Sequence, residues 1–160
     1  MNSVEQLSQQ LGELLLKHKQ VLVTAESCTG GGVANAITEI AGSSAWFDRA
    51  FVTYSNEAKQ EMIGVEGQTL AEFGAVSEPV VIQMVQGALK NSNATIGVSI
   101  SGIAGPTGGS EEKPVGTVCF AWADKSEWLK VETQHFTGDR SAVRTQAVIH
   151  ALETIKEHLS

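Results

Sequence analysis

The chain has 160 residues, 42% hydrophobic and 18% charged, with 11 basic and 18 acidic residues and a formal net charge of −7. That length supports one domain with a full core, and the acidic balance excludes a general nucleic-acid surface, which needs a basic face. No apolar run is long enough for a membrane span, no apolar leader opens the chain, and Cys28 and Cys119 make no disulfide framework, so the expected location is a reducing cytoplasm.

Ser3 and Gln6 fit a capping box ahead of a helical stripe of Val4, Leu7, Leu11, Leu14 and Leu15, which predicts a helix from Ser3 to about Lys17–Lys19. Val21–Ala25 reads as a strand. The polar Glu26-Ser27-Cys28-Thr29 and the glycines Gly30, Gly31 and Gly32 follow, then a helix that begins near Gly30 and carries Val33, Ala34 and Ile37. Ala41–Ser44 reads as a loop and Ala50–Tyr54 as a strand. Asn56 is placed to cap a short helix through Met62, which Gly64 ends. Ser77-Glu78-Pro79 opens the next helix, with Val81, Val85 and Leu89 inward.

Ala94–Ser101 reads as a buried strand, followed by a long loop rich in glycine and charge over 102–114. Val115–Ala123 and Trp128–Phe136 form a hairpin turned at Asp124–Ser126. Thr137-Gly138-Asp139-Arg140 starts the last helix, whose stripe includes Val143, Ala147, Leu152, Ile155 and Leu159. Helices alternate with strands before the hairpin. The expected fold is therefore α/β, a three-layer α/β/α sandwich with a mixed, mostly parallel sheet, as a single domain over 1–160.

Ligands of open α/β sheets sit beyond the carboxyl ends of the strands. Loops 26–32, 54–59 and 101–113 follow strands here. Ser27 is a candidate nucleophile, with helix capping as its plain alternative. Cys28 is a rival nucleophile near a helix N-terminus, or a small buried hydrophobe. A serine needs a base. None of the four histidines falls in a strand-end loop, and their spacing matches no metal site. Lys59 can serve if burial keeps it neutral; otherwise it is an exposed helix lysine beside a glutamate. Tyr54 stands near it, or is an amphipathic edge residue. Arg140, at a helix start, suits a phosphate or carboxylate, and otherwise a surface ion pair. Lys113 admits the same two readings. Ser99-Ile100-Ser101-Gly102 offers hydroxyls and N–H groups at a strand end. Together these residues suggest a phosphate-bearing ligand and a hydrolytic serine, against a nucleotide-binding module without chemistry.

Ala25-Glu26-Ser27-Cys28-Thr29-Gly30-Gly31, Val52-Thr53-Tyr54-Ser55-Asn56-Glu57-Ala58-Lys59 and Gly74-Ala75-Val76-Ser77 resemble the CinA C-terminal domain family. So do Gly102-Ile103-Ala104-Gly105-Pro106, the run Gly108 to Thr117, and Gly138-Asp139-Arg140, in order and over nearly the whole chain. The resemblance implies nicotinamide-nucleotide amidohydrolase activity: nicotinamide mononucleotide and water become nicotinate mononucleotide and ammonia, in pyridine-nucleotide salvage; no cofactor is expected, and the residue spacing leaves only a carboxylate site open to a metal. It implies Ser–Lys catalysis by Ser27 and Lys59, with Tyr54 close by; in the expected mechanism Tyr54 is the third catalytic residue, which orients Lys59 or protonates the leaving ammonia. Ser43 and Ser44 also match the family pattern and compete for the nucleophile's place. The implied substrate-binding set is Thr29, Gly30, Gly31, Ser43, Ser44, Ser101, Gly102, Gly105 and Arg140. Backbone N–H groups near Thr29 to Gly31 would hold the oxyanion, and loop 101–113 with Arg140 the ribose and phosphate. A homodimer, and a stand-alone form without the extra N-terminal domain of many relatives, are also implied.

Overall fold

The computed structural model describes residues 3–160. Its strands are β1 (Leu22–Glu26), β2 (Phe47–Val52), β3 (Ile96–Gly102), β4 (Thr117–Asp124) and β5 (Leu129–His135), in one sheet of order β2-β1-β3-β4-β5. β1 pairs in parallel with β2 and β3, whereas β4 is antiparallel to both of its neighbours. Four of the five strands therefore point the same way, as the expected mixed and mostly parallel sheet requires.

Side chains of a strand alternate between faces, and each face here is apolar. Leu22, Ile96, Val98, Ile100, Val118, Phe120 and Trp122 face α1 (Ser3–Lys17), α2 (Gly32–Thr38) and α6 (Arg140–Leu159). Val23, Ala25, Cys119, Ala121 and Ala123 face α3 (Asn56–Ile63), α4 (Gly67–Phe73) and α5 (Glu78–Lys90). The predicted stripes of α1, α5 and α6 are the residues these clusters bury. Small residues set the closest approaches: a Cβ on Gly87 of α5 would lie 1.8 Å from the Ile63 carbonyl oxygen, so α3 and α5 meet only over glycine. Among the described residues, no helix is long and apolar enough to cross a membrane.

Four boundaries differ from expectation. β2 runs Phe47–Val52 instead of 50–54, because an edge strand tolerates the exposed Arg49 and the half-buried Asp48 that make its start look like loop. It stops at Val52 because the carbonyls of Thr53 and Tyr54 turn to a lysine amine. The cap of α3 is Ser55, whose hydroxyl accepts the Ala58 N–H, and Asn56 is its first helical residue. α4 has no counterpart in the sequence reading: it is seven residues long and buries only Thr69 and Leu70, too few for a periodic signal. β4 begins at Thr117, after Gly116 at φ 97°, where a Cβ would meet the Phe136 carbonyl oxygen at 2.1 Å. Smaller shifts of one or two residues fall at the ends of β1, β3 and β5, Ser3 lies within α1, and Ser43–Ala45 forms one turn of 3-10 helix.

The register positions the functional end. Glu26 pairs with Val52 on one side and Ile100 on the other. The residues that follow, Ser27, Thr53–Tyr54 and Ser101–Gly102, therefore emerge side by side at the carboxyl end of the parallel strands.

Candidate active site

At this end Ser27, Cys28, Tyr54, Lys59, Ala75, Val76, Ser101, Gly102, Ala104 and Arg140 enclose a pocket of about 260 Å³. Three separate predicted loops thus meet at one place. The turn after β1 carries Ser27; the Gly30 N–H returns to the Ser27 carbonyl at 3.0 Å and the Gly32 N–H to the Thr29 carbonyl at 2.9 Å. Gly30 and Gly31 hold φ of 59° and 95°, a region that side chains disfavour.

Lys59 reaches this turn from the first turns of α3. It is 1% exposed, and its Nζ lies 3.0 Å from Ser27 Oγ. The same nitrogen donates to the Thr53 carbonyl at 2.9 Å and the Tyr54 carbonyl at 3.2 Å. Burial pushes the Lys59 amine below its usual pKa of 10.5, with a small opposing pull from Cys28. No carboxylate touches it in any hydrogen bond or ion pair among the described residues. Carbonyls only accept, so two of the nitrogen's positions must carry protons. In a neutral amine the third position is a lone pair, and it faces the Ser27 hydroxyl.

Cys28 is 6% exposed, and its thiol is pushed up to about 11, chiefly by burial and against the nearby Arg144 charge. That is the opposite of an activated thiolate. The buried-hydrophobe reading is the one its surroundings support, as is also so for Cys119, at 2% exposure in mid-strand.

Tyr54 is 64% exposed, and its ring stands at the pocket mouth. The part of it that touches Lys59 is its backbone carbonyl. Arg140, first residue of α6, donates to the Gly105 carbonyl at 3.0 Å and approaches the Tyr54 hydroxyl at 3.5 Å. It also borders a second hollow of about 460 Å³ with Ala104, Pro106, Val115, Gly138, Asp139 and Ser141. The two hollows share Ala104 and Arg140 and so lie side by side. Lys113 instead clasps the Phe73 carbonyl at the end of α4, at 2.8 Å.

The remaining candidates separate. Ser101 and Gly102 line the pocket. Gly105 adjoins it through Arg140, at φ 83°. Thr29, Gly30 and Gly31 follow Cys28 in the nucleophile turn and are not among the residues that line the pocket. Ser43 and Ser44 precede β2, where the Trp46 carbonyl accepts the Leu22 N–H. That is the opposite end of β1 from Ser27, roughly 13 Å of strand away; within one chain these serines do not reach the pocket.

Two residues at the site carried no assigned role in the sequence. Glu26, fully buried, accepts the Thr24 and Thr29 hydroxyls and the Val33 and Ala34 N–H groups. Arg144, one helical turn after Arg140, donates to the Cys28 and Thr29 carbonyls. The i, i+4 spacing of Arg140 and Arg144 was the available signal.

The family description "CinA C-terminal domain" matches residues 4–159. The chain is 61% identical over 150 residues to "Nicotinamide-nucleotide amidohydrolase PncC" of Escherichia coli (strain K12), covering 94% of this chain and 91% of that protein. It is 50% identical to the protein of the same name from Pseudomonas putida, covering 96% and 95%. The crystal structure of the competence/damage inducible protein CihA from Agrobacterium tumefaciens superposes with a TM-score of 0.96 at 43% identity, covering 99% of this chain and 96% of that one.

Proposed function

The chain belongs to the CinA C-terminal domain family, and on that premise we propose that it hydrolyses the carboxamide of nicotinamide mononucleotide to nicotinate mononucleotide and ammonia, in salvage of pyridine nucleotides, with Ser27 as nucleophile and Lys59 as general base. The observation that carries the Ser–Lys part is the buried Lys59 amine 3.0 Å from Ser27 Oγ, with two carbonyls accepting its protons and no carboxylate bonded to it among the described residues. The names of the close relatives support the substrate.

The steps follow from these atoms. The lone pair of Lys59 Nζ takes the Ser27 proton as Oγ forms a bond to the carboxamide carbon. The carbonyl electrons move onto oxygen, which backbone N–H groups hold. Among the described residues, the Gly30 and Gly32 N–H groups are engaged within the turn, and those of Val33 and Ala34 by Glu26. The N–H groups of Thr29 and Gly31, which follow Cys28 in the turn and donate to no protein acceptor among the described residues, are the ones we assign to the oxyanion, and one such donor is worth about 100- to 1,000-fold in rate. The C–N bond then breaks, and Lys59 returns its proton to the departing ammonia. Water attacks the resulting ester and gives its proton to Lys59. Lys59 returns that proton to Ser27 Oγ as the C–O bond breaks, and the acid leaves and ionises to carboxylate in solvent.

Arg140 borders both hollows, so we assign it to the phosphate and the 102–116 segment to the ribose. Binding the phosphate there orients the amide toward Ser27, and free nicotinamide loses that gain. The proposal includes a cytoplasmic homodimer, and light scattering of the purified chain checks its dimeric part. The deciding experiment is ammonia release from nicotinamide mononucleotide by wild type, Ser27→Ala and Lys59→Ala, with chelator present. Activity in wild type that falls at least about 100-fold in both variants is expected. Activity that survives Ser27→Ala overturns the assignment of the nucleophile. Wild type that binds the nucleotide without releasing ammonia is a binding module instead.

A further inference from the structure

The turn that carries Ser27 is gripped by two opposite charges that do not touch each other. On the inner side stands the Glu26 carboxylate, 0% exposed. Its Oε1 accepts the Thr29 hydroxyl at 2.7 Å and the Val33 N–H at 2.9 Å. Its Oε2 accepts the Thr24 hydroxyl at 2.9 Å and the Ala34 N–H at 3.0 Å. All four partners are donors, so the side chain acts only as an acceptor.

On the outer side stands Arg144 of α6. Its Nε donates to the Cys28 carbonyl at 3.0 Å and its Nη2 to the Thr29 carbonyl at 3.3 Å. A Cβ on Gly30 would lie 3.2 Å from that same Nη2, so a side chain there would press on the guanidinium.

We propose that Glu26 and Arg144 are positioning residues for Ser27, clamping the 27–32 turn through the Thr29 hydroxyl and the start of α2 on one side and through the Cys28 and Thr29 carbonyls on the other. This rests on the reading of Ser27 as nucleophile. The physical link is the planarity of the peptide bond. Holding the Cys28 carbonyl fixes the direction of the Thr29 N–H on the far side of the same plane, and that N–H is one of the donors left for the oxyanion. A cationic donor also polarises the peptide and strengthens its N–H as a donor. Glu26 acts from the other side: by taking the hydroxyl of Thr29 and two N–H groups of α2, it locks the turn onto the helix. It thereby spends the start of α2, which is then not available to a substrate anion. The positive charge at the nucleophile comes from Arg144 in place of the helix terminus.

The test separates placement of Ser27 from mere stability. The rate of Ser27 phosphonylation by a fluorophosphonate probe is measured beside kcat and KM for nicotinamide mononucleotide, in Glu26→Gln and Arg144→Lys. Both rates are expected to fall about 10- to 100-fold, with KM within about threefold of wild type. The double variant loses little more than the worse single one, because both grip one turn. In Arg144→Ala, millimolar guanidinium restores part of the probe reactivity. Folded variants that react with the probe within twofold of wild type overturn the clamp, as do fully additive losses. If Glu26→Gln does not fold, Thr29→Val removes one of its four contacts and carries the same comparison. Wild type that neither reacts with the probe nor releases ammonia overturns the Ser27 reading itself, and the clamp with it.

Discussion

The two halves of the sheet use their polar groups for opposite purposes. In the parallel half, Glu26, Ser27 and Lys59 are at most 7% exposed, and their contacts converge on one turn at the strand ends. In the antiparallel half, Phe120 and Trp122 stack with ring centres 5.4 Å apart, and the His150 ring packs edge-on to both. The polar groups there close a seam: His150 meets Glu132 at 2.8 Å, Lys130 meets it at 3.1 Å, and the Trp122 indole donates to the Ala151 carbonyl. Parallel strands bring loops from distant sequence to one edge, whereas a hairpin brings neighbours together along its length. Chemistry thus gathers in one half and packing in the other.

If that division holds, the largest effects are of different kinds. Lys59→Ala is expected to lower kcat/KM by about 1,000-fold or more while the fold persists, measured by ammonia release and thermal melting. Trp122→Ala is expected to cost about 3–5 kcal/mol of stability by denaturant titration, through an emptied core site and a lost indole bond, with the activity of the folded fraction retained. An equal loss of catalysis per folded molecule in Trp122→Ala breaks the comparison.

pH sharpens it further. Lys59 works as the neutral amine, and burial lowers its pKa from 10.5. Activity is therefore expected to rise about tenfold per pH unit below that lowered pKa and to level off above it. For stability the sign is the same: the unfolded lysine binds its proton more tightly, so the penalty of burying Lys59 is full below the folded pKa and vanishes as pH rises toward 10.5. Glu132 behaves oppositely. Its burial raises its pKa, but hydrogen bonds from Gln134, His150 and Lys130 outweigh burial and bring it down to about 2. Its contribution is present above the usual 4.5 and is lost as pH falls through 2. Glu132→Gln is expected to cost about 1–2 kcal/mol at neutral pH, discounted for its partial exposure, with the difference closing in acid and little change in catalysis. The smallest expected effect is Cys28→Ala, less than about tenfold in kcat/KM, because its thiol is buried and protonated; a loss as large as that of Ser27→Ala returns the thiol to candidacy.

The readable parts of this molecule were those written in local pattern. The stripes Leu7-Leu11-Leu15 and Val81-Val85-Leu89, the β-branched run before Ser27, and the glycines after it each state their own conformation. Ser55 was misread because any small polar residue before Glu57 satisfies a cap by type, and only the Ala58 N–H shows which one does. α4 was missed because its few buried contacts come from α3 and α5 and not from its own periodicity. Ser43 and Ser44 matched a motif, yet sit at the other end of the sheet, since a motif carries no information on which end of a strand its residues occupy.

By itself the sequence determined the element order, the apolar faces, the glycine turn and the presence of a serine and a lysine at strand ends. Only the tertiary structure decided that Lys59 is buried against Ser27, that Arg144 reaches across from α6, and that Glu26 turns back onto its own helix. Each of these contacts joins residues whose separation along the chain bears no relation to their distance in space, and their energetics depend on burial. Burial belongs to the assembled layers, and no residue carries it alone.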